Sequence, residues 1–364
     1  MMPQNIGDNT IREEGIARIT PADAARLSRY LLRVGDIVYS RRGDVTRRAL
    51  IQSFQDGWLC GTGCLRVRLG TAANSRFISY YLGHSAVREW IERHAIGATM
   101  PNLNTKILST LPVTIPSRNM QDAIAETLGA LDDKIAVNDS ISTTCRTLGE
   151  IKLREALDLP GVQEIKLSDL VTTLIRGVAP KYSEDADALT VINQKCVRNG
   201  RVNLEPARKT LRDKVRAPKF LCRNDLLVNS TGVGTLGRVA RWTHDIEATV
   251  DSHVTIVRFD PERVDPVCAG FAMFNAQSDI EALGEGSTGQ TELSKIQLGA
   301  YRVAIPSDEA MRRLRPVLER LEARGDAALV ESITLAKVRD TLLPKLMSGE
   351  IRIRDAEKLV EDAA

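Results

Sequence analysis

The sequence predicts an α/β (α+β) chain in which two similar strand-rich domains alternate with two long helices that form an antiparallel coiled coil. Three observations predict it: an internal repeat with a period of about 190 residues, a strand-like block heading each copy, and a long heptad-spaced apolar pattern closing each copy. Leu32–Gly43 (L-R-V-G-D-I-V-Y-S-R-R-G) answers to Arg223–Gly232 (R-N-D-L-L-V-N-S-T-G), pairing Asp36 with Asp225 and Gly43 with Gly232. Ala17–Thr20 pairs with Ala207–Thr210, Cys64–Leu69 with Val254–Phe259, and Gly97–Thr99 with Gly286–Thr288. Lys106 pairs with Lys295, and Ile115-Pro116 with Ile305-Pro306. Anchors kept in one order over roughly 100 residues mark a duplication.

The order of elements follows. Residues 1–116 form the first domain, 117–160 the central helix, 161–306 the second domain, 307–350 the second helix and 351–364 a tail. Within the domains, short apolar runs such as Asp36–Tyr39 and Asp225–Val228 stand between Gly, Asn and Asp, which is strand patterning. Phe77–His94 carries helical spacing through Ile78, Tyr81, Leu82, Val87 and Ile91. Ser117 and Ser307, each after a proline, are expected helix N-caps. Beyond them Ile124, Leu128, Leu131, Ile135, Ile141, Cys145 and Leu148 fall at steps of three and four, with some gaps. The second seam reads Met311, Leu314, Leu318, Leu321, then Ile333, Val338, Leu342 and Leu346, with a kink or a break into two consecutive helices expected at Arg324-Gly325. Asn138 occupies a seam position, where one buried polar residue can fix register. A helix of about 40 residues is roughly 60 Å long, and its one-sided apolar face needs a partner, which the other copy supplies.

The second copy carries a further block, Gly161–Thr190, including the helix-like Leu167–Leu174, to which nothing in the first copy answers. Two readings stay open: the first domain's start lies upstream of Met1, or that domain lacks its leading segment and then recognises DNA poorly or needs a fragment from another chain.

Composition narrows the function. Hydrophobic residues at 43% and charged residues at 27% describe a soluble globular protein. Apolar runs are too short to span a bilayer and the N-terminus does not read as a signal peptide, so a cytoplasmic location is expected. Cys60, Cys64, Cys145, Cys196, Cys222 and Cys268 do not combine with the four histidines into a metal set, and are expected as reduced, buried thiols. Aromatic residues at 4% disfavour stacking platforms for single strands. The net charge is only +3, but residues 1–116 hold 15 Lys/Arg against 9 Asp/Glu, and Lys195–Arg223 holds 10 against 2. Such local excess suits phosphate; a solvated basic face is the plainer alternative.

Candidate DNA contacts are Arg41, Arg42, Arg47 and Arg48 around the Gly43 turn, and Arg198, Arg201, Arg208, Lys209, Arg212, Lys214 and Arg216 in the basic run. Ser230 and Thr231 at the matching turn join them, with Lys106 and Lys295, each placed before its copy's last strand. Asp36 and Asp225 read as turn formers and not as catalytic bases. Gly232–Gly237 spells a dinucleotide fingerprint, but a strand follows it where a phosphate-binding helix is needed, so a hairpin turn is expected. Methyltransferase and Walker A signatures are missing, and so is a nuclease-type carboxylate–lysine cluster near Asp251, so no catalytic residue or metal ligand is assigned.

Two heads on a paired-helix rod suit a target in two halves, since sites about 34 Å apart on DNA present one groove to one face. At this point the chain resembles the specificity subunits of type I restriction–modification enzymes. Gly97–Pro116 looks like the end of that family's target-recognition domains, Met120–Ile135 like the start of its central spacer helix, and Arg339–Ile351 (R-D-T-L-L-P-K-L-M-S-G-E-I) like the end of its second spacer. The resemblance implies a non-catalytic subunit that reads a bipartite DNA target, one half per domain. It also implies partners: two methyltransferase subunits docked on the helices, with S-adenosylmethionine bound there, and restriction subunits using ATP and Mg. Ile124, Leu128, Leu131, Ile135, Leu314, Leu318, Leu321, Leu342 and Leu346 are the expected coiled-coil and docking positions. A stand-alone DNA-binding regulator or a coiled-coil adaptor is the alternative.

Overall fold

The computed structural model describes residues 1–361 apart from 14, 98–100, 186 and 286–290. The repeat anchors Ala98, Thr99, Gly286, Ser287 and Thr288 therefore lie outside the described residues. In chain order the first half holds α1 (Pro21–Arg26), β1 (Ile37–Ser40), β2 (Arg48–Leu50), β3 (Cys64–Val67), α2 (Ser75–Tyr81), α3 (Ser85–His94), α4 (Thr105–Ser109) and α5 (Arg118–Leu157). The second half begins with β4 (Gln163–Lys166), β5 (Val171–Arg176), β6 (Leu189–Ile192), β7 (Val197–Arg198), β8 (Arg201–Val202) and β9 (Arg208–Thr210). It continues with β10 (Leu226–Asn229), β11 (Val239–Arg241), β12 (Ala248–Val250), β13 (Val254–Phe259), α6 (Pro266–Asn275), α7 (Gln277–Ala282) and α8 (Lys295–Ala300). β14 (Arg302–Ile305), α9 (Asp308–Ser348) and α10 (Ile353–Glu361) close the chain. No helix among the described residues is long and apolar enough to cross a membrane.

The chain divides into two compact units, Met1–Asn138 with Val330–Ala364, and Asp139–Leu329. Each long helix gives one part to each unit.

In the first unit β1 lies between β2 and β3, with Ile37 opposite Leu50 on one side and Val67 on the other. In the second, β10 lies between β11 and β13, with Leu226 opposite Arg241 and Val257. The four residues Ile-Val-Tyr-Ser of β1 and Leu-Leu-Val-Asn of β10 are all buried, as suits strands covered on both faces. Two consecutive helices follow each three-stranded core: α2 and α3, capped by Asn74 and His84, answer to α6 and α7. The helical spacing over 77–94 thus resolves into two helices, broken at Leu82–His84. The duplication extends to backbone conformation: Asn9 and Asn199 hold φ of 55° and 53° in equivalent turns.

The same correspondence sets Met1 opposite Ile192. Gly61 N donates to Met1 O as Asp251 N donates to Ile192 O. Counterparts of β4, β5 and most of β6 are therefore missing from the first copy among the described residues, as the unmatched block 161–190 foreshadows. Within that block, Leu167–Leu174 is not a helix. Residues 167–169 make a single 3₁₀ turn, and β5 begins at Val171. The β-branched Val171-Thr172-Thr173 favours the strand.

The long helices are continuous, 40 residues in α5 and 41 in α9. They start after Ser117 and Ser307, and the Ser307 hydroxyl accepts from Ala310 N at 3.4 Å. In the first unit they run antiparallel. Asp132 pairs with Arg339 at 2.6 Å, and Asn138 Nδ2 donates to Glu331 at 2.8 Å. Ile124, Leu128 and Leu131 are buried there with Leu342 and Leu346, and Ile135 packs half-buried against them. In the second unit Leu314 and Leu318 share a core with Leu153 and Ala156, while Leu321 is half-buried.

Three seam expectations are corrected. Leu148 and Ile333 are exposed, and the buried positions beside them are Gly149 and Ser332. Arg324-Gly325 does not break α9, because Gly325 is itself a seam residue. A Cβ there would lie 2.0 Å from the Arg201 guanidinium, so a close approach, and no kink, selects glycine.

Candidate nucleic-acid interface

In the second unit β10 and β11 are joined by residues 230–238, a hairpin connection in which Gly232, Gly234 and Gly237 take φ of 107°, 69° and 78°. The fingerprint Gly232–Gly237 is thus a turn, as its strand context requires. A Cβ on Gly232 would meet Gln194 Oε1 at 2.3 Å, so the turn sits tightly over that loop. Leu293 N donates to Ser230 O and Thr231 bridges to Glu292, which binds the hairpin to the segment leading into α8. The first unit repeats this: Leu103 N donates to Arg41 O and Arg42 bridges to Asn102. Arg41 and Arg42 therefore stand where Ser230 and Thr231 stand.

At the end of β1 and β10 away from these hairpins lies the same ion pair. Asp36 accepts from Arg68 Nε and Nη2 at 2.7 and 2.6 Å, and Asp225 from Arg258 at 2.8 and 2.7 Å. Asp36 also accepts from Arg33 N, and Asp225 from Cys222 N, each three residues back. Both carboxylates are buried, 2% and 1% exposed, and each bond to its carboxylate raises the arginine's pKa. They hold a turn against a strand. Both oxygens of each carboxylate are engaged in these bonds.

The candidate residues separate by environment. Arg42, Arg198, Lys209 and Arg216 are exposed, with no acidic side chain on them among the described residues. Arg208 lies over the Tyr182 ring at 3.3 Å, and both are exposed. Arg47 is exposed but held by Asp44 at 2.9 Å, Lys214 by Asp213 at 3.0 Å, and Arg212 by the two bonds it donates to Glu247, which raise its pKa. Thr231 is half-buried, its hydroxyl 2.7 Å from His253 Nδ1. On the same turn Val233 is 81% exposed. Arg41 is half-buried, its Nε without a partner.

Four assignments are corrected. Arg48 is not a loop residue but opens β2, 4% exposed, donating to Ser79 O and Asp8 at 2.7 Å each. Arg201 pairs with Asp326 of α9, against Gly325. Ser230 is fully buried, its hydroxyl 2.5 Å from Thr255 Oγ1. Lys106 and Lys295 are not equivalent: Lys295 opens α8, whereas Lys106 follows Thr105 in α4. The N-caps Asn104 and Ser294 align, which sets Lys295 opposite Thr105. Of the six free cysteines, Cys222 is exposed and Cys60 and Cys145 are half-buried, so only three match the buried-thiol expectation. Burial raises the Asp251 carboxyl, which accepts from His253 N; the sequence reading passed over His253, whose proximity to Thr231 comes only from strand pairing.

The geometry defines a class: duplicated α/β modules, each with a turn braced by a buried Asp–Arg pair, attached to long helices. Within that class, residues 8–144 match the family model described as type I restriction modification DNA specificity domain. Among solved structures the chain is similar to the S subunit of a type I restriction-modification system from M. genitalium, with 20% identity over 86% of this chain and 83% of that one, at a TM-score of 0.52. It also matches the HsdS subunit from Thermoanaerobacter tengcongensis, 14% identical over 88% and 82%, TM-score 0.36. A third match is a chain from a structure titled as the basis of complex assembly and conformational transition of the type I R-M system, 14% identical over 88% and 83%, TM-score 0.38. No curated protein matches. Over residues 8–144 the family-model match bears out the resemblance to type I specificity subunits read from the sequence, and the α/β fold with long helices stands.

Proposed function

We propose that this chain is the DNA sequence-specificity subunit of a type I restriction–modification complex and carries no catalytic activity of its own. Each unit reads one half of a bipartite target, through the β1–β2 turn in one and the β10–β11 turn in the other. The long helices dock two methyltransferase subunits, which hold S-adenosylmethionine, and restriction subunits add ATP- and Mg-dependent cleavage. The observation that carries the reading is the repeated hairpin turn, tied in both units to the segment before the next short helix (Leu103 N to Arg41 O, Leu293 N to Ser230 O) while the residues at its tip differ. A constant tie under variable tips suits two readers of unlike half-sites. Exposed Arg42, Arg198, Lys209 and Arg216 supply backbone contacts that position without specifying.

The test is a genome-wide map of methylated adenines from cells holding the methyltransferase subunits with and without this chain. One split motif is expected with the chain and none without it. An identical map in both cells overturns the reading, and DNA binding by the chain alone at full strength favours a stand-alone regulator.

A further inference from the structure

The two hairpin turns share one frame and carry different chemistry. In the first unit Arg41 N donates to Gly63 O at 2.9 Å, and in the second Ser230 N donates to His253 O at 2.8 Å, so Gly63 stands where His253 stands. A Cβ on Gly63 would lie 2.8 Å from the Pro3 ring, and the glycine puts no side chain behind Arg42. In the second unit the His253 imidazole fills that place. Its Nδ1 is 2.7 Å from the Thr231 hydroxyl, in a solvent-exposed contact.

The imidazole is placed by its own backbone. His253 N donates to Asp251 Oδ1 at 2.9 Å while its carbonyl accepts from Ser230 N, just beyond the Asn229–Val254 pair that ends the β10–β13 ladder. Thr231 is fixed from the other side by its bridge to Glu292, which Arg176 holds at 2.6 Å. The described charged groups around the pair are thus Asp251, Glu292 and Arg176. A guanidinium is a donor in every state, so Arg42 needs no neighbour to fix what it offers. A hydroxyl both donates and accepts, and by itself it distinguishes base edges poorly. A bond to a fixed neighbour removes that ambiguity, because the neighbour claims one of the two roles.

We infer that His253 is a positioning residue that sets what Thr231 offers to a base. With Nδ1 unprotonated, it accepts from the Thr231 hydroxyl, and the free lone pair of Oγ1 faces outward to accept from an exocyclic amino group, that of adenine or cytosine. With the imidazole protonated, Nδ1 donates to Oγ1 instead. The hydroxyl proton then turns outward and meets that amino group donor to donor. The inference rests on the DNA reading proposed above and assigns a residue and a base chemistry within it.

The test is selection from a pool of randomised duplexes by the complex of this chain with the methyltransferase subunits, at about pH 8 and about pH 5.5, on either side of the usual imidazole range. At the higher pH a preference of about fivefold for adenine or cytosine on one strand is expected at one position of the second unit's half-site, the worth of one hydrogen bond. At the lower pH that preference is expected to vanish at that position alone. Thr231→Val is expected to lose it at both pH values, and Thr231→Ser to keep both the preference and its pH dependence. His253→Asn, whose side-chain oxygen takes the place of Nδ1, is expected to keep the preference without the pH dependence. A selected motif indifferent to Thr231→Val, or a pH dependence that survives His253→Asn, overturns the inference alone. Equal loss in Thr231→Val and Thr231→Ser also overturns it, since the hydroxyl is then not what reads the base. Absence of sequence preference at every position overturns it together with the DNA reading.

Discussion

Burial divides arginines that the sequence places side by side. Arg47 and Arg48 are neighbours in one basic cluster, yet one is exposed and the other is closed over by Asp8 and Ser79, 40 and 31 residues away. Arg201 is removed from the basic run in the same way, by Asp326 on a helix more than a hundred residues later. No local signal announces such acceptors, so the basic run was legible and its sorting was not. Asp36 and Asp225 were legible as turn formers because a short carboxylate bonds the turn's own backbone; their arginines, 32 and 33 residues later, were not. The sorting predicts opposite phenotypes. Arg42→Ala and Arg216→Ala are each expected to weaken duplex DNA binding and to lower the slope of log affinity against log salt by about 0.9. Arg48→Met is expected to leave that slope unchanged and to cost the first unit about 2 kcal/mol of unfolding free energy, because Ser79 O loses its buried donor. Binding titrations at several salt concentrations, beside thermal melts of the same proteins, separate the two outcomes. A slope change in the Arg48 variant contradicts the assignment.

At the level of elements, the helices were legible and their seam only partly so. Counting apolar residues finds Ile124, Leu128, Leu131, Leu314 and Leu318, then strays to Leu148 and Ile333, which are exposed. The seam keeps its steps of three and four by passing through Gln121, Asn138, Ser142 and Gly149 in α5, and Gly325, Ala328, Ser332 and Leu335 in α9. Glycine holds two of those positions because side chains from the globular parts press onto the helices there. Phe271 lies 2.4 Å from where a Gly149 Cβ would be, and Arg201 fills the space at Gly325. Asn138, like Ser332, buries an oxygen without a partner. It is 1% exposed, gives Nδ2 to Glu331, and leaves its Oδ1 buried without a partner. Asn138→Leu is therefore expected to raise the first unit's stability by about 1 kcal/mol, since an unsatisfied buried carbonyl disappears while Glu331 keeps Lys134 at 3.2 Å. A higher melting temperature checks it. A lower one means the bond to Glu331 outweighs the orphaned oxygen, and that Asn138 holds register at no cost.

For the whole molecule the duplication was the most readable feature, because six anchors in fixed order survive sequence divergence that erases single motifs. Its register was readable only to within a residue, and the pairing of Lys106 with Lys295 slipped by one because caps, and not charges, fix where α4 and α8 begin. A chain built from two homologous units predicts modular specificity. Replacing residues 161–306 by the same domain of a related protein carries over β5, β10, β13 and the 230–238 turn together, with the Asp225–Arg258 brace inside the exchanged piece. The recipient core contributed by Leu153, Ala156, Leu314 and Leu318 stays in place, so the graft meets an apolar surface it is built to cover. Methylated motifs mapped before and after the exchange are expected to differ in one half and agree in the other. A change in both halves means that the units read DNA jointly. A change in neither means that specificity lies outside the β10–β11 turn and the strands that carry it.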